Sequence, residues 1–286
     1  MRIAATLLFL LSPSLQADPA AWRVGGADGQ IWILGSVHYL RQQDYPLPQI
    51  VDELYELADT LVMELDLDDL DPAAMQGSFA SAGVLPATTT LRSILDPETY
   101  SRTESLATNL GMPMTLLERL EPWLVSLTLT DLTMVRLGFQ ASQGLEQYLV
   151  RRATDDRKEI LGLESIEDQI GIFDTLSFED QAVLLSQSVE DLADPEEYMD
   201  GMLDAWRAGS LEELAEQFSE DFANSPALED ALVASRNARW VTQIDEMLDD
   251  GQRYLIVVGA LHLVGDDSVV RMLQARGIEV SPVSAQ

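Results

Sequence analysis

Both histidines of this chain close the same four-residue pattern, G-x-x-H, and each pattern follows a short apolar run with strand character. The first is IWILGSVH, with Gly35 and His38, and the second is LIVVGALH, with Gly259 and His262. One lies near the start of the sequence and the other near its end, so only folding brings them together. Each imidazole is expected to emerge at the C-terminal end of a strand, the edge of an open α/β sheet where ligands bind. A glycine three residues before the histidine permits a sharp turn or a close approach to the backbone. The alternative is two ordinary, partly buried histidines satisfied by their neighbours.

The intervening chain suits a sheet with crossovers. AWRV and IWIL flank GGADGQ, whose Asp28-Gly29 step tolerates positive φ and signals a hairpin. Residues 46–59 carry Leu47, Ile50, Val51, Leu54 and Leu57 at helical spacing. TLVMELDL then reads as a buried strand ending in acid. Strand, helix, strand in this order predicts a crossover unit and an α/β fold, bordering on α+β. Residues 72–157 and 165–250 read as a long, mostly helical insertion, interrupted by KEILGLE at 158–164, a second buried strand ending in acid. After RYLIVVGALH, DDSVVRMLQARG reads as a helix opened by acids and closed by Gly277, and IEVSPV as a last strand.

The strand-ending acids, Glu64 and Glu164, would be partly desolvated and able to act as a metal ligand or general base. Two neutral imidazoles and a carboxylate match the donor set of hydrolytic zinc sites and also suit Mn, Fe or Co. In that reading the ion would activate water and polarise a carbonyl while the second Glu moves the proton. Asp66 and Asp68 share the face of Glu64 at period two, so the pattern does not choose among the three. The alternative is that these acids cap the helices that follow. There is no H-E-x-x-H, P-loop, G-x-G-x-x-G or G-x-S-x-G.

Composition narrows the partners. With 49 acidic against 17 basic residues the formal charge is −32, which repels nucleic acid and anionic lipid. The absence of cysteine excludes disulfides, thiol catalysis and zinc–thiolate sites. The first residues, MRIAATLLFLLSPSLQADPA, have the layout of a secretory signal peptide, with cleavage expected after Ala17 and export to a periplasm or beyond. A buried N-terminal helix is the competing reading. No later segment is apolar for long enough to span a bilayer.

The ordered set GSVH (35–38), VMEL (62–65), GLEQYLVRRA with ILGLES (144–165), SRNARW (235–240) and VVGALHLVG (257–265) resembles the TraB/PrgY/GumN family, which includes the Tiki metalloproteases, and is most similar to its exported bacterial branch. The resemblance implies one domain, residues 18–286, whose N- and C-terminal segments share a mixed central sheet with helices inserted between. It implies a metal-dependent hydrolytic centre of His38, His262 and Glu64, with Mn, Co, Zn or Fe as the ion and a peptide or exported protein as substrate. Glu164 matches the family's L-E-[ST] acid, and Arg236 and Asn237 its R-N pair. Physically, Arg236 suits a substrate carboxylate or an oxyanion and Asn237 the orientation of a ligand. Equally, the pair could brace Glu164 or Glu64 by a salt bridge. Relatives linked to inactivation of peptide pheromones keep open the alternative of a binding protein without turnover.

Overall fold

The computed structural model describes residues 18–26, 30–222 and 225–285. The signal-peptide expectation and the Asp28-Gly29 hairpin step fall outside them. Six strands form one mixed sheet: β1 (Ala21–Val24), β2 (Ile31–Ser36), β3 (Thr60–Leu65), β4 (Glu159–Glu164), β5 (Tyr254–Gly259) and β6 (Val280–Pro282), in the order β4-β3-β5-β2-β1-β6. β1 pairs antiparallel with β2 and β6, while β2, β5, β3 and β4 run parallel. The decisive feature is β5. It lies between the two N-terminal strands, with Ile256 opposite Ile33 on one side and Val62 on the other.

Burial on both faces explains why these strands read as continuous apolar runs. Alternate side chains enter two cores. Leu34, Leu61, Met63, Leu255 and Val257 pack with the Gln49–Leu57 and Leu145–Asp156 helices. Ile33, Val62, Ile256 and Val258 pack with Trp240, Val241 and Ile244 of the Ser235–Met247 helix and with the Val269–Ala275 helix. The result is an α/β fold with helices on both faces.

The structure departs from the sequence pattern in small ways with local causes. Leu57 is exposed, and Tyr55 turns inward instead, its hydroxyl donating to Asp156. The last helix is capped by the Ser268 hydroxyl rather than by the acids before it, and Gly277 follows at φ +83°. Prolines 72, 97, 122, 195 and 226 occupy first-turn helix positions, where a missing N–H costs nothing. A separate apolar cluster, in which Val125 and Leu129 of the Pro122–Arg136 helix meet Tyr100 and Leu185, holds the inserted helices together.

Candidate functional site

Four parallel strands deliver chemistry to one sheet edge. β4 ends on Glu164, β3 carries Glu64 one residue before its end, β5 ends on Gly259, and β2 ends on Ser36. His38 lies two residues beyond β2, and His262 sits in a 3-10 turn, Ala260–Leu263, directly after β5. Period two puts Glu64 on the same face as Val62, the face covered by the Ser235–Met247 helix. The first turn of that helix, reached through a π-helical turn at Asp230–Ala234, supplies Arg236 and Asn237, both buried.

Arg236 is the hub. Its Nη2 donates to Glu64 Oε2 at 2.6 Å and to Glu164 Oε2 at 2.8 Å, and its Nε lies 3.1 Å from both Glu164 oxygens. Its Nη1 stands 3.0 Å from His262 Nε2. Arg239 Nη2 adds a second guanidinium contact to Glu164 Oε1 at 2.9 Å. Glu64 Oε1 accepts the Gly259 backbone N–H at 2.8 Å. Asn237 Oδ1 lies 2.7 Å from His262 Nδ1, while its amide donates to the backbone carbonyls of His262 and Asp267. An acceptor at Nδ1 and a guanidinium at Nε2 assign the proton of His262 to Nδ1.

The electrostatics follow from these contacts. Burial would raise the Glu64 carboxyl, but His262, Arg236 and the Gly259 N–H outweigh it and hold the pKa at about 2. Burial and the Arg236 charge push His262 down to about 3 against the pull of Glu64, so the ring is neutral at physiological pH. His38 has the opposite environment. Its Nδ1 lies 2.8 Å from Glu146 Oε1, and that carboxylate raises its pKa to about 9 although the side chain is 62% exposed to the cleft. Glu146 also accepts from the Ser36 hydroxyl at 2.5 Å, which fixes its position.

Gly259 marks the point of convergence. A Cβ there would lie 3.3 Å from Glu64 Oε1, 3.7 Å from His38 Nε2 and 3.7 Å from His262 Cδ2. Neither motif glycine has a positive φ, so close approach rather than a sharp turn explains Gly259. Gly144, on the far side, leaves room for the His38 carbonyl, which a Cβ would meet at 2.2 Å. Two imidazoles fixed at Nδ1 with a carboxylate beside them are chemically suited to a divalent ion. Yet among the described residues no three His, Asp or Glu side chains stand at ion-holding spacing. His262 Nε2 and Glu64 Oε1 are 3.9 Å apart, and the Arg236 guanidinium occupies the donor faces of both residues. An ion held by this set would have to take the place of those N–H contacts.

The three acids at the end of β3 are placed differently. Glu64 lines a cleft of about 400 Å³ together with His38, Arg236 and His262, whereas Asp66 and Asp68 do not. Glu164 lies beneath the cleft rather than in its lining, its side chain 1% exposed. Neither glutamate caps a helix, since Asp71 caps the helix after β3 and Ser165 and Asp168 form the capping box of the one after β4. Sequence reasoning missed Glu146 as a partner of His38. It stands in GLEQYLVRRA, where its place in the first turn of a helix beside a glycine was the available signal. It also missed the opposite wall, formed by Met134, Leu192, Met199 and Met202 with Asp191.

Comparisons with known proteins agree with the sequence motifs. The chain is 25% identical to the uncharacterised protein YbaP of Escherichia coli over 256 residues, covering 85% of this chain and 87% of YbaP. It is 22% identical to the zebrafish (Danio rerio) protein named Metalloprotease TIKI1, covering 96% of this chain and 65% of that protein. No solved structure matches. Residues 20–282 match the TraB/PrgY/gumN family, from β1 through β6 and including every residue of the site, and the chain belongs to that family.

Proposed function

We propose that this protein is an exported, metal-dependent hydrolase of peptides, with His38, His262 and Glu64 holding the ion. What carries the reading is the meeting of both G-x-x-H histidines and Glu64 around the bare Cα of Gly259, at the floor of an open cleft. The name of the TIKI1 relative supports the same chemistry. When bound, a divalent ion supplies an activated water and polarises the scissile carbonyl. The chain's own residues do the rest. Glu146 and Asn237 hold the two rings by their Nδ1 atoms and direct the opposite nitrogens inward. Arg236, whose N–H groups are committed to Glu64, Glu164, His262 and the Leu232 carbonyl, supplies a fixed positive charge beside Glu64. Glu164, with both oxygens held by Arg236 and Arg239, anchors that guanidinium rather than carrying a proton.

The test is metal content and peptidase activity of the purified protein beside His38→Ala and His262→Ala, after offering Mn, Co, Zn and Fe. About one ion per chain, lost in both variants together with chelator-sensitive cleavage, is expected. Equal metal-free behaviour of all three proteins would sink the reading. One observation favours a second reading, a peptide-binding protein without turnover: the guanidinium already satisfies His262 and Glu64. In that case an unchanged peptide affinity in the presence of chelator is expected.

A further inference from the structure

The cleft wall opposite the histidines carries a carboxylate in an unfavourable place. Asp191 is the last residue of the Phe178–Asp191 helix, where the helix dipole disfavours negative charge. It is half-buried, its neighbour Glu190 is also acidic, and among the described residues no arginine or lysine pairs with it. Gln187 donates to Oδ1 at 2.9 Å, and among the described residues Oδ2 has no donor. Burial accordingly pushes its carboxyl above the usual range. Yet the side chain opens on the cleft, beside Leu192, Met199 and Met202. A desolvated carboxylate that lines a cleft is a candidate ligand group.

We propose that Asp191 is the specificity determinant of this cleft, receiving a cationic group of a peptide whose neighbouring aliphatic side chain packs on Met199 and Met202. The cation is an ammonium or guanidinium, from a lysine or arginine side chain or from the peptide's own α-amino group. Two features make this occupant fit. The three methionines in the lining, Met134, Met199 and Met202, are unbranched and adapt to aliphatic side chains of different shape. The chain's net charge of −32 also favours a cationic partner over an anionic one. A volume of about 400 Å³ lies within the usual range for ligand clefts and accommodates one aliphatic side chain with an adjoining cation.

The proposal rests on the reading of this cleft as a peptide site, and it is tested by binding rather than by cleavage. The probes are C-terminally fluorescein-labelled tetrapeptides that place lysine on either side of leucine, each matched with a norleucine counterpart and made with free or acetylated amino termini. Fluorescence anisotropy is measured with and without Mn²⁺. The lysine peptides are expected to bind about tenfold more tightly than their norleucine matches, and Asp191→Asn to abolish the difference. If the free amino terminus supplies the cation, acetylation rather than norleucine removes the advantage. Asp191→Lys is expected to reverse the preference towards a glutamate-bearing peptide, with an unchanged thermal transition as evidence of folding. A lysine advantage that survives in folded Asp191→Asn overturns the proposal, as does the absence of any preference or of measurable binding by the cationic peptides. Lysine-selective binding without cleavage would instead count only against the hydrolase reading.

Discussion

At the scale of single residues, the candidate site depends on atoms that orient the histidines as much as on the histidines themselves. Glu146 Oε1 is shared between the Ser36 hydroxyl and His38 Nδ1, so the ring has one defined orientation although it stands open to the cleft. Glu146→Gln keeps the shape but replaces the anionic acceptor. If His38 is a ligand, metal affinity measured by calorimetry is expected to fall about 10–100-fold while the fold survives. An unchanged affinity would remove Glu146 from the site. Gly259→Ala makes a sharper demand. The new methyl lies 3.3 Å from Glu64 Oε1, and the backbone at φ −50° accepts alanine, so a cooperative melt is expected with metal or peptide binding lost. Normal binding by that variant would show that the cradle is not the binding point. Gly144→Ala differs because its methyl meets the backbone carbonyl of His38 at 2.2 Å, and a loss of about 1–3 kcal/mol in urea unfolding is expected.

Among elements, the relation of β5 to the helix before it decides the site. β5 delivers Gly259 and His262 between β2 and β3, and the Ser235–Met247 helix lies across them with Arg236 pointing inward. The strands were legible because burial on both faces writes an uninterrupted apolar run. The duplicated G-x-x-H was legible because it uses both histidines of the chain. That Glu64 and not Asp66 lines the cleft was not, since both have the same period-two parity and only the turn after Leu65 separates them. The Glu146–His38 pair was not legible either, because its partners are 108 residues apart and a helix-start acid near a glycine does not say which residue it meets. Arg236 shows what the arrangement costs. It neutralises two glutamates in a buried setting, so Arg236→Met leaves Glu64 without a cation and Glu164 with Arg239 alone, and is expected to lower stability by about 3–5 kcal/mol in urea titration. Arg239 is half-exposed and shares Glu164 with Arg236, so Arg239→Met is expected to cost no more than about 1 kcal/mol. Similar losses for both variants would contradict the hub role of Arg236.

For the molecule as a whole, charge is the dominant unbalanced quantity. A formal −32 cannot be paired away by 17 basic residues, several of which are already committed to the site or to pairs such as Arg253–Asp59 and Arg152–Asp52. The remaining carboxylates repel one another in the folded chain more than in the expanded one, because folding brings them closer. That repulsion is long-range and exposed, so salt screens it, with the Debye length falling from about 10 Å at 0.1 M to about 3 Å at 1 M. Surface ion pairs weaken over the same range, but each contributes only about 0–1 kcal/mol, and there are too few cations for them to prevail. The buried Arg236 network is screened much less. The thermal midpoint is therefore expected to rise with sodium chloride and to rise similarly with potassium chloride, as non-specific screening requires. Scanning calorimetry across that range checks it. A midpoint that stays flat or falls would mean that the acidic excess is locally compensated in the folded state, and that attractive pairs outweigh repulsion.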